Sequence, residues 1–462
     1  MFELNETHDP SRRSWLASAN DPTSDFPVQN LPFGVFRRGD EGPRCGVAIG
    51  DRILDLPAAL EAGLLSGAAA PAARAASEPT LNALMALPRA SVSALRARLS
   101  DLMRAGGPDS EIVRDRAGEL LVPMAAARLE LPAAIGSYTD FSCSYTHMGG
   151  MRGGEPAPIF FRFPIGYHGR ASSIRLSGFA VKRPSGQWLA DAAPAPDADG
   201  RAAGLRREGA NADAKRGQPL DVRFGPEPRL DFELEVAAYV GRGNELGCVL
   251  SVDEAADRLF GYCLLNDWSA RGIQMLEMGG LGPFLGKSFL TTISPWIVTD
   301  EAMAPFRVAR PARRGNEPPV PEHLDGERDA RAGGLSIELT AYLRTAAMRS
   351  AGLPPSRIVC TNFRHLYWTF AQMLAHHTSN GCNMQPGDLI ASGTVSGPEP
   401  TGRACLAEIN RRGTHALELP GGETRKWLED GDELTIRGRG VKEGYVPIGF
   451  GECAGRVRRP SG

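Results

Sequence analysis

No two of the eight cysteines (Cys45, Cys143, Cys248, Cys263, Cys360, Cys382, Cys405 and Cys453) stand in a Cys-x-x-Cys spacing. That argues against a disulfide framework and against a thiolate zinc site, and each cysteine reads as a small buried apolar residue. No run of 18 apolar residues occurs, so no transmembrane helix is expected. Long basic runs are absent and the net charge is −2, which leaves nucleic-acid binding without electrostatic support. The start, Met1-Phe2-Glu3-Leu4-Asn5-Glu6, lacks the basic and apolar regions of a signal peptide. Together with the cysteine usage, this predicts a reducing cytoplasm. There is no repeat at a fixed period.

What is present is an ordinary globular composition, 42% apolar and 23% charged over 462 residues. That length exceeds one typical core, so two domains are expected. Short strands at Gly34-Val35-Phe36, Gly46-Val47-Ala48-Ile49 and Ile53-Leu54-Asp55-Leu56 are separated by turn residues. Val92, Leu95, Leu99 and Leu102 follow at helical spacing. A small mixed domain over 1–125 is predicted. From there to residue 462, glycines, prolines and aromatics punctuate short β-like runs such as Val236-Ala237-Ala238-Tyr239-Val240 and Leu434-Thr435-Ile436, which predicts a large β-rich domain. Asp253 to Leu265 and Arg364 to His377 carry helical patterns. Residues 190–228 almost lack large apolar side chains, and 310–333 look similar. Both read as flexible insertions without chemistry.

Leu230-Asp231-Phe232-Glu233-Leu234-Glu235-Val236 alternates strictly. A strand would send Phe232, Leu234 and Val236 into a core and the three acids to the opposite face. Crowded carboxylates need a cation, and oxygen ligands select a hard ion, Ca²⁺ or Mg²⁺. Taken alone, the run reads rather as the solvated face of an edge strand. Other segments shift the balance. Tyr138-Thr139-Asp140-Phe141 precedes His147 by one loop. Asn266-Asp267-Trp268-Ser269-Ala270-Arg271-Gly272-Ile273-Gln274 brings an acid, an arginine and a glutamine together, with Arg271 and Gln274 on one face if a helical turn begins there. Gly282-Pro283-Phe284-Leu285-Gly286-Lys287-Ser288 sets one lysine in a tight loop, and Pro386-Gly387-Asp388-Leu389-Ile390-Ala391-Ser392-Gly393-Thr394 reads as turn, buried strand and a Gly-Thr pair whose N–H groups could face a ligand.

These segments, with Gly166-Tyr167-His168-Gly169-Arg170-Ala171-Ser172-Ser173-Ile174, resemble the fumarylacetoacetase family in the same order. The resemblance extends to Asp25-Phe26-Pro27-Val28-Gln29-Asn30-Leu31-Pro32-Phe33-Gly34-Val35-Phe36 and to Gly449-Phe450-Gly451-Glu452-Cys453-Ala454-Gly455. It implies a mainly β fold with α insertions: a small SH3-like N-terminal domain (1–125) and a large catalytic β-roll (126–462). It also implies a homodimer, a bound Ca²⁺ or Mg²⁺, and hydrolysis of a carbon–carbon bond in 4-fumarylacetoacetate. By the resemblance, Asp140, Glu233, Glu235 and Asp267 match metal carboxylates, and Lys287 and Thr291 match a second ion position. A lysine is an odd cation ligand, so Lys287 reads better as a counter-charge and substrate donor. His147, seven residues after Asp140, matches the general base. Glu408, fourteen after Thr394, matches the glutamate that orients it. Arg271, Gln274, Tyr167 and Thr394 match substrate contacts, and Arg152 a substrate-binding arginine.

The chain departs from the family at Ser142 and Met278, where tyrosines are usual, and in a shorter loop from His147 to Tyr167. These changes keep a second enzymatic reading open, a hydrolase of another diketo acid or acylpyruvate. A third, a non-enzymatic β-rich metal-binding protein, would need neither His147, Glu408, Lys287 nor Arg271.

Overall fold

In a computed structural model of the chain, which describes residues 3–151, 153–190, 221–278 and 280–460, the central strands are buried on both faces. Leu234–Val240 pairs antiparallel with Leu259–Asp267, with Val236 opposite Leu264 and Ala237 opposite Cys263. Val236, Ala238, Tyr262 and Leu264 enter one apolar core, while Ala237, Tyr239, Cys263 and Leu265 enter another. Period-two alternation therefore serves two cores at once. Around this pair runs an eight-stranded sheet in the order Gly166–Gly169, Tyr138–Phe141, Leu389–Ala391, Leu234–Val240, Leu259–Asp267, Thr291–Ile293, Ile174–Leu176, with Val298–Thr299 also on Leu259–Asp267. A five-stranded sheet covers the first core: Ser356–Asn362, Ile337–Arg344, Glu433–Gly440, Ile448–Arg458 and Ala180–Lys182. The fold is mainly β with helices between strands. No helix among the described residues is long and apolar enough to cross a membrane.

Both-sided burial explains one correction. The helical pattern expected over Asp253 to Leu265 holds only for Val252–Ala256, which a Ser251/Glu254 capping box starts. Leu259–Asp267 is strand. A continuous apolar run looks the same whether it is a buried strand or a buried helix. The second expected helix starts late, at Phe370–Thr378, after a Thr369/Gln372 capping box. The expected helix through Val92 and Leu102 spans Arg89–Met103.

The N-terminal part is a five-stranded antiparallel sheet, ordered Leu121–Pro123, Arg52–Asp55, Arg44–Ile49, Phe33–Arg38, Ala127–Glu130. Its last strand lies beyond the expected boundary at residue 125. Phe33 and Ile297 exchange backbone hydrogen bonds of 3.0 and 2.8 Å, which ties this sheet to the larger β-rich part.

Both expected insertions need correcting. Residues 310–333 pack through guanidinium–aromatic contacts as well as through Leu324 and Val320. Arg313 lies 4.0 Å from the Tyr367 ring centroid and Arg314 lies 3.7 Å from that of Tyr145. Leu324 is fully buried, and the buried Asp329 of helix Glu327–Ala332 accepts from Thr369 Oγ1 at 2.6 Å. Of 190–228, residues 191–220 lie outside the described residues, but their flanks are ordered. Ser185–Leu189 pairs with Val222–Pro226, Leu189 opposite Val222, and Ala190 N donates to Asp221 O at 3.0 Å. Glu227 is fully buried.

Because residues 190 and 221 already meet as hydrogen-bonded neighbours, deleting 192–219 and closing the gap with a short Gly/Ser linker makes an ordinary hairpin. Loop shortening costs little entropy. The deleted protein is expected to keep its soluble yield and to melt within a few degrees of the full chain. Loss of soluble protein would show that the segment packs into the fold.

Candidate active site

Five carboxylates, Asp140, Asp231, Glu233, Glu235 and Asp267, are each at most 5% exposed. Asp140 comes from strand Tyr138–Phe141, Glu235 from Leu234–Val240, and Asp267 ends Leu259–Asp267. Glu233 sits where the predicted strand breaks, between Leu230–Asp231 and Leu234–Val240, and its N–H donates to Asn266 Oδ1 at 3.2 Å. The solvated-face reading of the alternating run is therefore overturned: its acids point inward.

Two cations answer this charge. Lys287 Nζ donates to Glu233 Oε2 at 2.5 Å and to Asp267 Oδ2 at 2.6 Å. Arg271 Nη1 lies 2.7 Å from Glu233 Oε1, and its Nε donates to Asp231 Oδ2 at 2.9 Å. Burial alone would raise the Glu233 pKa, but Lys287 and Arg271 hold it well below the usual carboxylate range. Burial would likewise lower Lys287, yet Asp267 and Glu233 raise it. Lys287 is thus a firm ammonium without a lone pair. Its contacts with Glu233 and Asp267 are those of the counter-charge that the sequence reading prefers for it. Thr291 is buried opposite Asp267 on the neighbouring strand.

Asp140, Glu235 and Asp267 are the remainder. Their ligand atoms lie within 4.8 Å of one another. Asp140 Oδ1, Glu235 Oε1 and Asp267 Oδ1 are buried with no hydrogen-bond partner. Burial and mutual repulsion push the pKa of Asp140 and Glu235 well above the usual range. Orphaned, desolvated oxygens at this spacing fit a hard divalent cation. Glu235 Oε2 is anchored by Gly393 N–H at 3.1 Å, so that N–H holds a carboxylate rather than facing a ligand. A Cβ on Gly393 would stand 2.2 Å from Phe141 O.

Beside the cluster, Ser144 Oγ caps helix Tyr145–Gly150 by accepting from His147 N. His147 Nδ1 lies 2.9 Å from Glu408 Oε2. Glu408 is desolvated, but His147 brings its pKa down. Glu408 is therefore the acceptor of the pair, and Nε2 is the ring nitrogen that Glu408 does not engage. Ser396 Oγ donates to the same Glu408 oxygen at 2.5 Å. Arg271 Nη1 donates to Gln274 Oε1 at 3.2 Å within helix Arg271–Glu277. Tyr167 OH donates to Asp267 Oδ2 at 3.0 Å, so its hydroxyl is committed to a carboxylate. Thr394 is buried, Ser142 is half-buried, and Met278 is 54% exposed at the end of the Arg271 helix. Arg152 lies outside the described residues.

Two further acids position the site, and one of them, Glu227, escapes a sequence reading. Asp231, expected to lie outside the ligand set, accepts from Arg271 and also from Leu406 N (2.7 Å) and Ala407 N (3.0 Å). One carboxylate thus joins the arginine to the turn that carries Glu408. Glu227, inside the supposed insertion, accepts from Gly272 N (3.0 Å) and Ile273 N (2.9 Å) at the start of the Arg271 helix. The alternation with Glu233 and Glu235 marks Asp231 in the sequence, and the structure sets it beside the ligand set. Nothing in Gly225-Pro226-Glu227-Pro228 flags Glu227.

The chain matches two family models: the fumarylacetoacetate hydrolase C-terminal domain over residues 137–458 and the fumarylacetoacetase N-terminal domain over 29–132. It is 41% identical to a fumarylacetoacetase of Oryza sativa subsp. japonica over 94% of this chain and 95% of the relative. It is 44% identical to one of Caenorhabditis elegans over 94% and 96%, and 40% identical to the Homo sapiens protein over 96% and 98%.

Removing one member of a buried ion pair strands the other, at a cost of about 3–5 kcal/mol. Asp231→Ala is expected to lose stability of that order in urea unfolding, since Arg271 and two backbone N–H groups lose their acceptor. A loss below ~0.5 kcal/mol would deny Asp231 its place at the junction.

Proposed function

The chain belongs to the fumarylacetoacetase family, and from that premise we propose that it hydrolyses the carbon–carbon bond of 4-fumarylacetoacetate to fumarate and acetoacetate, the last step of tyrosine breakdown, with His147 as the base. The observation that carries the residue roles is the 2.9 Å pair of His147 and Glu408 beside a cluster of carboxylates that each keep one buried oxygen without a hydrogen-bond partner. A binding protein would need the cluster alone.

In this reading His147 Nε2 takes a proton from water, and the ionised Glu408 stabilises the resulting imidazolium. Hydroxide adds to the carbonyl carbon, the carbon–carbon bond breaks, and the proton passes to the carbon of the departing enolate. Arg271 and Gln274 donate to the developing oxyanion and to substrate carboxylates. Lys287, fixed by Glu233 and Asp267, supplies positive charge beside the enolate. Asp140, Glu235 and Asp267 would hold a divalent cation, Ca²⁺ or Mg²⁺, with Glu233 alongside as the carboxylate kept ionised by Lys287 and Arg271. Held there, such an ion would supply Lewis acidity to the carbonyl under attack.

A homodimer belongs to the same reading. Leu281, Phe284 and Leu285, each more than half exposed after the Arg271 helix, offer an apolar face for a second copy. A cytoplasmic location is supported by eight free cysteines.

Chelation is expected to abolish turnover and Ca²⁺, Mg²⁺ or Mn²⁺ to restore it, followed by loss of fumarylacetoacetate absorbance; full activity in metal-free protein would contradict this. His147→Ala is expected to lower kcat by about 10²–10⁴, the usual worth of a positioned base, while leaving cation binding intact by calorimetry. A variant with near wild-type kcat would remove His147 from the mechanism.

A further inference from the structure

The oxygen-only cluster is not the one place in this site with ligand geometry. His147, Cys405 and Glu408 each offer a ligand atom, all within 4.8 Å of one another. Nδ1 of His147 lies 2.9 Å from Glu408 Oε2, and Cys405 Sγ lies 3.4 Å from the same oxygen. A tetrahedral zinc ion with metal–ligand bonds of about 2.0–2.3 Å sets its donors roughly 3.3–3.6 Å apart. The two separations from Glu408 Oε2 are within about half an ångström of that range, and the His147 and Cys405 ligand atoms lie within 4.8 Å of each other.

The Glu408 carboxylate is buried, its side chain only 3% exposed, and its Oε1 lies 4.0 Å from Arg403 Nη1 without a hydrogen-bond partner. The turn carrying Cys405 and Glu408 is held by Asp231 through Leu406 N and Ala407 N, so the donors are preorganised. Nitrogen, sulfur and carboxylate donors favour a borderline or soft ion, where the carboxylate cluster favours a hard one.

We propose that His147, Cys405 and Glu408 form an inhibitory site for a thiophilic divalent cation, Zn²⁺ or Cd²⁺, separate from the hard-ion cluster. Binding exchanges protons for the ion. Burial keeps the Cys405 thiol protonated, and the ion takes the thiolate while that proton goes to solvent. Nδ1 carries the ion, and the imidazole proton moves to Nε2. No electrons change hands. With Nε2 protonated and Glu408 occupied, the base has no lone pair for water. The inhibitory half of the inference rests on the reading of His147 as base; the binding half does not.

The test uses Cd²⁺ on the Ca²⁺-loaded full chain with Cys248, Cys360 and Cys382 changed to serine, since these three are exposed or half-exposed. Titration is expected to bring up a thiolate-to-cadmium charge-transfer band at one equivalent, with turnover falling more than tenfold in step and excess Ca²⁺ failing to reverse it. Cys405→Ser should abolish the band, and Glu408→Gln should weaken cadmium binding at least tenfold, which keeps the test decisive if the serine variant does not fold. A band that survives both changes, no band at all, or inhibition relieved by excess Ca²⁺ would overturn the site. A band with undiminished turnover would overturn its inhibitory role. Should His147→Ala retain full activity, the base assignment fails while the band still reports the site.

Discussion

Desolvated negative charge is the constraint around which this site is built. Asp140, Asp231, Glu233, Glu235 and Asp267 are buried together, and Arg271 and Lys287 are the buried cations that meet them. Each cation is shared by two carboxylates, and the oxygens without partners fall on Asp140, Glu235 and Asp267. An isolated carboxylate in such surroundings costs several kcal/mol. The arrangement is therefore stable only with protons or a divalent ion in that space, and its chemistry follows from whichever is there.

The scaffold delivers this charge with little freedom. Strands buried on both faces fix the register of Glu235 and Asp267. Trp268, directly after Asp267, is fully buried with its Nε1 donating to Thr292 Oγ1 at 2.8 Å. A Cβ on Gly455 would press within 2.6 Å of that indole, so the second sheet closes against it. The base half, His147 and Glu408, and the cation half, Arg271 and Lys287, meet at Asp231. A change there is felt on both sides.

The segments that bring the buried carboxylates, His147 and Glu408 together were legible because long motifs keep their order, and the pairing of His147 with Glu408 across 261 positions could come only from resemblance. Local pattern failed where tertiary context overrode it. Leu259–Asp267 looks helical because both of its faces are apolar. The run around Glu233 looks like a surface strand because sequence does not show what lies opposite. Residues 310–333 have too few aliphatic side chains to look packed, yet their arginines stack on Tyr145 and Tyr367. Absence of a Cys-x-x-Cys pair removes a thiolate zinc site from the sequence reading, but the fold gathers donors from positions 147, 405 and 408. Glu227 acts through backbone N–H groups, which carry no sequence signature.

The central claim is that the unpartnered oxygens of Asp140, Glu235 and Asp267 need a divalent cation, and calorimetric melting of the same preparation with chelator and with Ca²⁺ tests it most directly. An ion bound only by the folded state at 100 times its dissociation constant adds about 2.7 kcal/mol, so the account predicts a melting temperature several degrees higher with Ca²⁺, a gain absent in Glu235→Gln. Identical melting with chelator and with saturating divalent cation would contradict it.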